Sequence, residues 1–576
     1  MPSDMKRAFT VFLVVLVIYP SAAPVLGASN SQDYVSFLNS MDVVRMLGTI
    51  KDLTDDSFGG RQSGTQGATL ASEYISNYFG TLGLRPAGTD GTYRAQFTMP
   101  LWQLTQVPQL TIEGTPPRDF VYRKDFSIHP GSDNGQFSAD VVFAGYGITA
   151  TDLAYDDFAG ISASGKIVLV IAGTPPNGRF RESSYGSPYS KYENARAHHA
   201  VGLILANAPA NPADNYVQIG RGVMGPSGGP YLWTKLTIFR GSVEMADAIL
   251  APTGKTLLIL ENGIDSSLKP NSLQMQTKLK VSVTVSYNED ATAVNVLGIV
   301  PGSDPAATQK VIIIGAHYDH LGRDADGSIF RGANDNGSGV AVMMEIAHIL
   351  ATGSKPKWTI LFAAWSGEEE GLWGSWNYVN NPYFSLARTE AYINLDMVGC
   401  CTGLTAYVSE DYSGLRGVLS DSANALQLSP DVQGFSGGSD HVLFEENHVP
   451  NLMFIYEPLD AVYHTPADTI DHISRQDLLE TGKLTALMAL KLSEATVTLA
   501  TEAATSAPTQ QTTTSVQTET QPQVLSIAPT TNELLIAVVV IIVVAGAIAF
   551  HMTKGRKQLE KQSHGRGLAT APANNR

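Results

Sequence analysis

The chain has 576 residues, 43% apolar and 16% charged, with a formal net charge of −16. That length suits several domains or segments, and the apolar share is too high for a disordered chain. The acidic balance argues against a nucleic-acid partner, because phosphate recognition needs a basic face. Two cysteines exclude a disulfide-built scaffold and a cysteine-rich zinc or iron–sulfur site.

At the N-terminus Lys6 and Arg7 precede the apolar run Ala8–Ile18, and small residues follow as far as Ala28. A charged start, a short apolar stretch and a small-residue exit predict a secretory signal over residues 1–27, cleaved after Gly27 or alternatively after Ala23. Residues 33–130 open with helical periodicity, as in Ala71–Phe79, then turn extended around Phe97–Leu101. Residues 131–287 change character: short β-rich runs at Ala139–Phe143, Lys166–Ile171 and Lys278–Val285 recur with Gly and Pro between them.

Residues 288–500 alternate strand and helix. Val311–Ile314, Thr359–Ala364, Tyr392–Leu395 and Leu452–Tyr456 read as strands, and Val340–Leu350 as a mostly apolar helix. This predicts an α/β fold: a mostly parallel mixed sheet with helices on both faces, interrupted by the β-rich insert. Residues 501–532, rich in Thr, Ser, Gln, Ala and Pro, cannot bury enough surface to fold and are expected to be a stalk. Leu534–Phe550 is 17 residues without a charge, at the lower limit for crossing a bilayer, so a membrane helix is expected over 534–552. Lys554, Arg556, Lys557, Lys561 and Arg566 mark the tail 553–576 as cytoplasmic. The expected topology is an extracellular head tethered to the cell membrane by one C-terminal helix.

The chemistry follows the strands. In open α/β sheets, ligands bind beyond the carboxyl ends. There the sequence places Gly315-Ala-His-Tyr-Asp-His320, Ser366-Gly-Glu-Glu-Glu-Gly371, Asp396 and Tyr463-His464, with Asn334-Asp335-Asn336-Gly337 opening a helix. Imidazoles and carboxylates without cysteine suit a hydrolytic zinc site. Two zinc ions need a shared carboxylate with terminal ligands on each side. Asp335 is assigned as the bridge, His317 and Asp396 to one ion, Glu369 and His464 to the other.

These stretches, His317–Leu321, Gly332–Gly339, Glu368-Glu369, Asn394–Met397 and Tyr463-His464, resemble the co-catalytic zinc exopeptidases. That family includes secreted aminopeptidases, glutamate carboxypeptidase and the transferrin receptor ectodomain. Asp56–Gly83 resembles the family's N-terminal part. Val141–Gly147, Gly165–Val170 and Gly202–Ala206 resemble an inserted protease-associated domain. The resemblance implies that Glu368 is the general base, that Asp319 hydrogen-bonds and orients His317, and that Tyr463 donates to the developing oxyanion. Ser439 and Asp440, in the segment Ser439–Phe444, are implied to line the substrate side. The implied activity is a zinc aminopeptidase acting on peptides. A carboxypeptidase for acidic C-terminal residues would want arginines at the pocket, where only Arg323, Arg331, Arg388 and Arg416 are near in sequence. A non-catalytic surface receptor keeps the fold but not the ligands, all of which are present.

Other motifs carry less. Gly434-Phe-Ser-Gly-Gly438 has the Gly-x-Ser-x-Gly spacing of serine hydrolases, but Ser429–Gln433 reads poorly as the required core strand. Asn336-Gly-Ser338 matches a glycosylation sequon inside the metal loop and is taken as coincidence. His320, His441 and His472 are expected as structural or pocket residues, and Cys400 and Cys401 as two buried thiols.

Overall fold

A computed structural model of the chain describes residue 34 and residues 37–176, 180, 185–209, 235–307, 309–353, 355–494 and 499. The expected signal, stalk, membrane helix and tail lie outside these residues. Among the described residues no helix is long and apolar enough to cross a membrane.

The main sheet has nine strands: β1 (Arg85–Pro86), β2 (Arg94–Leu104), β3 (Val285–Val300), β4 (Val311–His317), β5 (Thr359–Trp365), β6 (Thr389–Leu395), β7 (Gly403–Tyr407), β8 (Asp431–Gln433) and β9 (Asn451–Glu457). Their order is β1-β3-β5-β4-β6-β9-β7-β8, with β2 also pairing with β3. The four central strands, β5, β4, β6 and β9, run parallel, whereas β3 and β7 join antiparallel. Parallel strands buried on both faces should read as unbroken apolar runs, and β4 and β5 are buried at every position.

Alternate side chains feed two cores. Ile312, Ile314, Ile360 and Phe362 point into the larger one. It is covered by α1 (Val43–Leu53), α2 (Gln66–Thr81), α3 (Gly339–Thr352), α5 (Ser413–Leu426) and α7 (Arg475–Leu492). Val311, Ile313, Leu361 and Ala363 face the other core, beneath α4 (Trp373–Asn380) and α6 (His441–Glu446). Local signals set the helix starts: Asp42 accepts the Val44 N–H before α1, and Ser474 accepts that of Asp477 before α7.

The insert is a second sheet of eight strands with its own cores. Its strands Gln109–Ile112, Arg118–Asp119 and Phe126–Ile128 come from before residue 131, so the sheet begins upstream of the expected boundary. Extended polar stretches at Gln109 and Arg118 do not reveal which sheet they will join. The last strand is Leu273–Val283, and β3 begins two residues later. The paired strands β2 and β3 form a ribbon through which the chain leaves the main sheet and returns, with Leu104 opposite Val285.

Ile314 is fully buried in the central strand β4. Replacing it by Ala should cost about 2–5 kcal/mol through lost transfer energy and a cavity. A lower urea midpoint with an unchanged slope in chemical denaturation checks this.

Candidate metal centre

The four parallel strands end at one edge, and each delivers a group there. His317 is the last residue of β4, Glu368 and Glu369 follow β5, Asp396 follows β6, and His464 lies in the loop after β9. Asp335 comes from the turn before α3. Gly332 begins that turn with φ of +58°, a conformation glycine adopts without penalty. A Cβ there would lie 2.1 Å from the Asp335 carbonyl oxygen and 2.5 Å from the His320 ring.

Neighbouring polar groups lock these loops to one another. The Asn336 side chain donates to the Leu395 carbonyl and accepts from the N–H groups of Gly339 and Met397. It is fully buried, which agrees with reading its sequon as coincidence. Asp468, from the His464 loop, accepts the backbone N–H of Asn334 at 2.9 Å and of Asp335 at 3.0 Å. Arg61 is buried and donates to four carbonyls, those of Tyr318, Leu53, Arg331 and Gly332. It thus ties the Gly59-Gly60-Arg61 turn to the segments carrying His317 and Asp335. A buried charge with no conspicuous partner in sequence is invisible to periodicity; the adjacent glycines were the available signal.

The two oxygens of Asp335 face different groups. Oδ1 lies 3.5 Å from His317 Nε2, which is 3.2 Å from Asp396 Oδ1. Oδ2 lies 3.1 Å from His464 Nε2, which is 3.3 Å from Glu369 Oε2. The Oε2 oxygen of Glu368 is 4.0 Å from His317 Nε2. His320, set aside in the sequence, also enters: its Nδ1 is 2.7 Å from Glu369 Oε1 and 3.7 Å from Asp335 Oδ2. The donor atoms of His317, Asp335 and Asp396, and those of His320, Asp335 and Glu369, each lie within 4.8 Å of one another, close enough to share a cation. The imidazole and carboxylate donors, with no thiolate among them, fit zinc.

This concentration of charge shifts the groups strongly. Burial works against charge on His317, but the Asp396 and Glu368 carboxylates outweigh it and hold the imidazole well above its ordinary range. Burial also opposes charge on His464, yet Glu369 and Asp335 raise it to about 10. Burial would raise Glu369, but His464 and His320 hold its carboxyl well below the usual range. Burial pushes Glu368 well above the usual range; His317 opposes this, and Glu369 and Asp396 reinforce it.

Two expectations are corrected, the hydrogen bond from His317 to Asp319 and the two thiols. His317 Nδ1 is 3.7 Å from Asp319 Oδ1, too far for a hydrogen bond. Asp319 instead accepts the backbone N–H of Glu368 and Glu369 at 3.4 and 3.3 Å, fixing the loop that carries both. Ser439 and Asp440 are fully buried, and Asp440 lies close enough to His317 and Asp396 to feel their charges. Ser439 accepts from the Asn394 amide and Asp440 from the Ser375 hydroxyl. Burial raises the Asp440 carboxyl to about 7. Cys400 and Cys401 are bonded to each other, the backbone at Cys401 taking φ of 92°.

The Tyr463 ring stacks on His464 with centroids 3.7 Å apart. His441 bonds the Ser436 carbonyl, and His472 lies beside Asp460. Only a three-residue, fully exposed edge strand precedes Gly434, so no nucleophile turn forms there.

Residues 295–489 match the family described as Peptidase family M28. Aminopeptidase YwaD of Bacillus subtilis (strain 168) is 35% identical over 211 residues, which is 34% of this chain and 43% of YwaD. The chain therefore spans less than half the length of this curated relative. The aminopeptidase from Aneurinibacillus sp. strain AM-1 has a TM-score of 0.59 at 23% identity, covering 79% of this chain and 95% of its own. BSAP, a zinc aminopeptidase from Bacillus subtilis, has a TM-score of 0.55 at 24% identity, covering 80% and 98%. Likenesses of this kind establish the fold, and the expected α/β architecture is borne out.

Two outcomes follow for the metal-free protein. Because His464 holds its proton up to about pH 10, a cation entering at neutral pH must displace it. Uptake should release protons and tighten from pH 6.5 to 8.5, checked by calorimetry in buffers of different ionisation heat. Asp335→Asn, which removes a donor common to both groups, should lower bound zinc more than Asp396→Asn, read by elemental analysis after dialysis.

Proposed function

We propose that this member of the co-catalytic zinc exopeptidases, peptidase family M28, is a zinc aminopeptidase that removes N-terminal residues from peptides. The observation that carries this reading is Asp335, whose two oxygens face two separate imidazole–carboxylate pairs, as a bridging ligand of two cations would. His317 and Asp396 would hold one zinc, Glu369 and His464 the other. When bound, such a pair lowers the pKa of a water toward ~7 and polarises the scissile carbonyl.

The chain's own groups do the rest. Glu368 takes the proton of the attacking water and later returns it to the departing amine. A buried carboxyl with raised proton affinity suits both halves of that task. Tyr463 keeps its proton, since burial and the charges of Asp335 and Glu369 push its phenol far above the ordinary range. It therefore acts as a hydrogen-bond donor to the oxyanion. Asp319 keeps Glu368 in place through the backbone of its loop. The substrate's free α-amine is drawn to the carboxylate-rich site, which limits cleavage to the first residue.

The carboxypeptidase alternative finds little support, because the four nearby arginines are engaged elsewhere. Arg323 bonds the Gly327 carbonyl, Arg331 pairs with Asp56, Arg388 bonds the Gln309 carbonyl, and Arg416 bonds those of Val408 and Gln433. The receptor alternative would not need a complete ligand set. The chain's ends suit an enzyme displayed outside the cell: an export signal over 1–27, a stalk over 501–532 and a membrane helix over 534–552.

Glu368→Gln should keep both zinc ions and lower kcat by roughly 10²–10⁴-fold, measured on metal-loaded protein. Aminoacyl amides should be cleaved and N-blocked peptides spared; hydrolysis of the blocked peptides alone would reverse the choice of terminus. Chelation should abolish turnover, and zinc add-back should restore it.

A further inference from the structure

His320 makes a single strong polar contact, and it points into the metal centre. The side chain is fully buried. Nδ1 lies 2.7 Å from Glu369 Oε1, while Nε2, equally buried, has no hydrogen-bond partner. An ionised carboxylate only accepts hydrogen bonds, so Nδ1 carries the proton. Asp335 Oδ2, at 3.7 Å, is beyond hydrogen-bond reach, so the contact is specific to Glu369.

The two Glu369 oxygens are thereby divided. Oε1 is committed to His320, and Oε2 faces His464 at 3.3 Å. We infer that His320 is a positioning residue that holds Glu369 as a one-oxygen ligand, keeping a coordination position on the His464 side free for the substrate's α-amine. The inference deepens the proposed function and rests on Glu369 being a zinc ligand. A hydrogen bond to an ionised oxygen is about twice as strong as a neutral one, which opposes the carboxylate swinging round to chelate with both oxygens. The ring is itself confined: Gly332 is packed so closely that a Cβ there would meet the imidazole. The His464 ring closes another side, with centroids 5.7 Å apart.

Two near-isosteres separate this role from simple packing. An Asn amide places a donor where Nδ1 stands, whereas a Gln amide places it nearer Nε2. With cobalt in place of zinc, His320→Gln should weaken the visible bands as Glu369 takes up a second bond. Its kcat/KM for free-amine peptides should fall roughly 10–100-fold, the range for losing a group that orients a ligand, with most of the loss in KM. His320→Asn should restore both the spectrum and KM toward wild type.

If His320→Gln and His320→Asn match each other and wild type in cobalt spectrum and KM, the inference is overturned while the zinc reading survives. X-ray absorption showing a second imidazole on the ion also overturns it, making His320 a ligand. If Glu369→Ala retains both ions with wild-type affinity, the reading of Glu369 as a ligand falls and takes the inference with it.

Discussion

Asp335 is the point on which the site turns, because one carboxylate must serve two neighbouring centres of positive charge. Asp319, Asp335, Glu368, Glu369 and Asp396 crowd a largely dry edge of the sheet, where unpaired charge is expensive. Without cations the imidazoles offset part of it, which is why His317 and His464 are driven so far toward their charged forms. A pair of divalent ions would take over that compensation. On the proposed zinc reading, bound cations make the acid surplus tolerable.

Backbone bonds already join the segments that carry these groups, as from the Ala333 N–H to the Asp468 carbonyl and from the Tyr318 N–H to that of Trp365. Their geometry is set by groups that touch no substrate: Arg61 gathers four carbonyls, Asp468 grips the amides beside Asp335, and Asn336 links the Asp335 turn to β6. Each connects segments far apart in sequence. Placement of this kind resists thermal drift, since moving any one loop strands a buried polar group.

Much of this was legible in the chain. The strands ending at His317, Trp365, Leu395 and Glu457 are short apolar runs bounded by polar residues, and the loops after them hold compact groups of titratable residues. Local pattern was enough for both. What stayed hidden depends on long-range pairing. Residues 109–128 join the second sheet through partners such as Val281 and Phe239, more than a hundred positions away. The family resemblance implies Asp319 as a partner of His317, yet its hydrogen bonds go to the backbone of the Glu368 loop. His320 reads in sequence as a structural or pocket residue, and only its distance to Glu369 gives it a distinct place.

The ribbon formed by β2 and β3 joins the two sheets. Leu104 and Val285 are direct neighbours, so the second sheet hangs from two adjacent points on the first. The chain leaves and returns there without cutting a strand of the main sheet. Because its two ends already meet in a paired register, the second sheet enters and leaves without spreading the strands of the first.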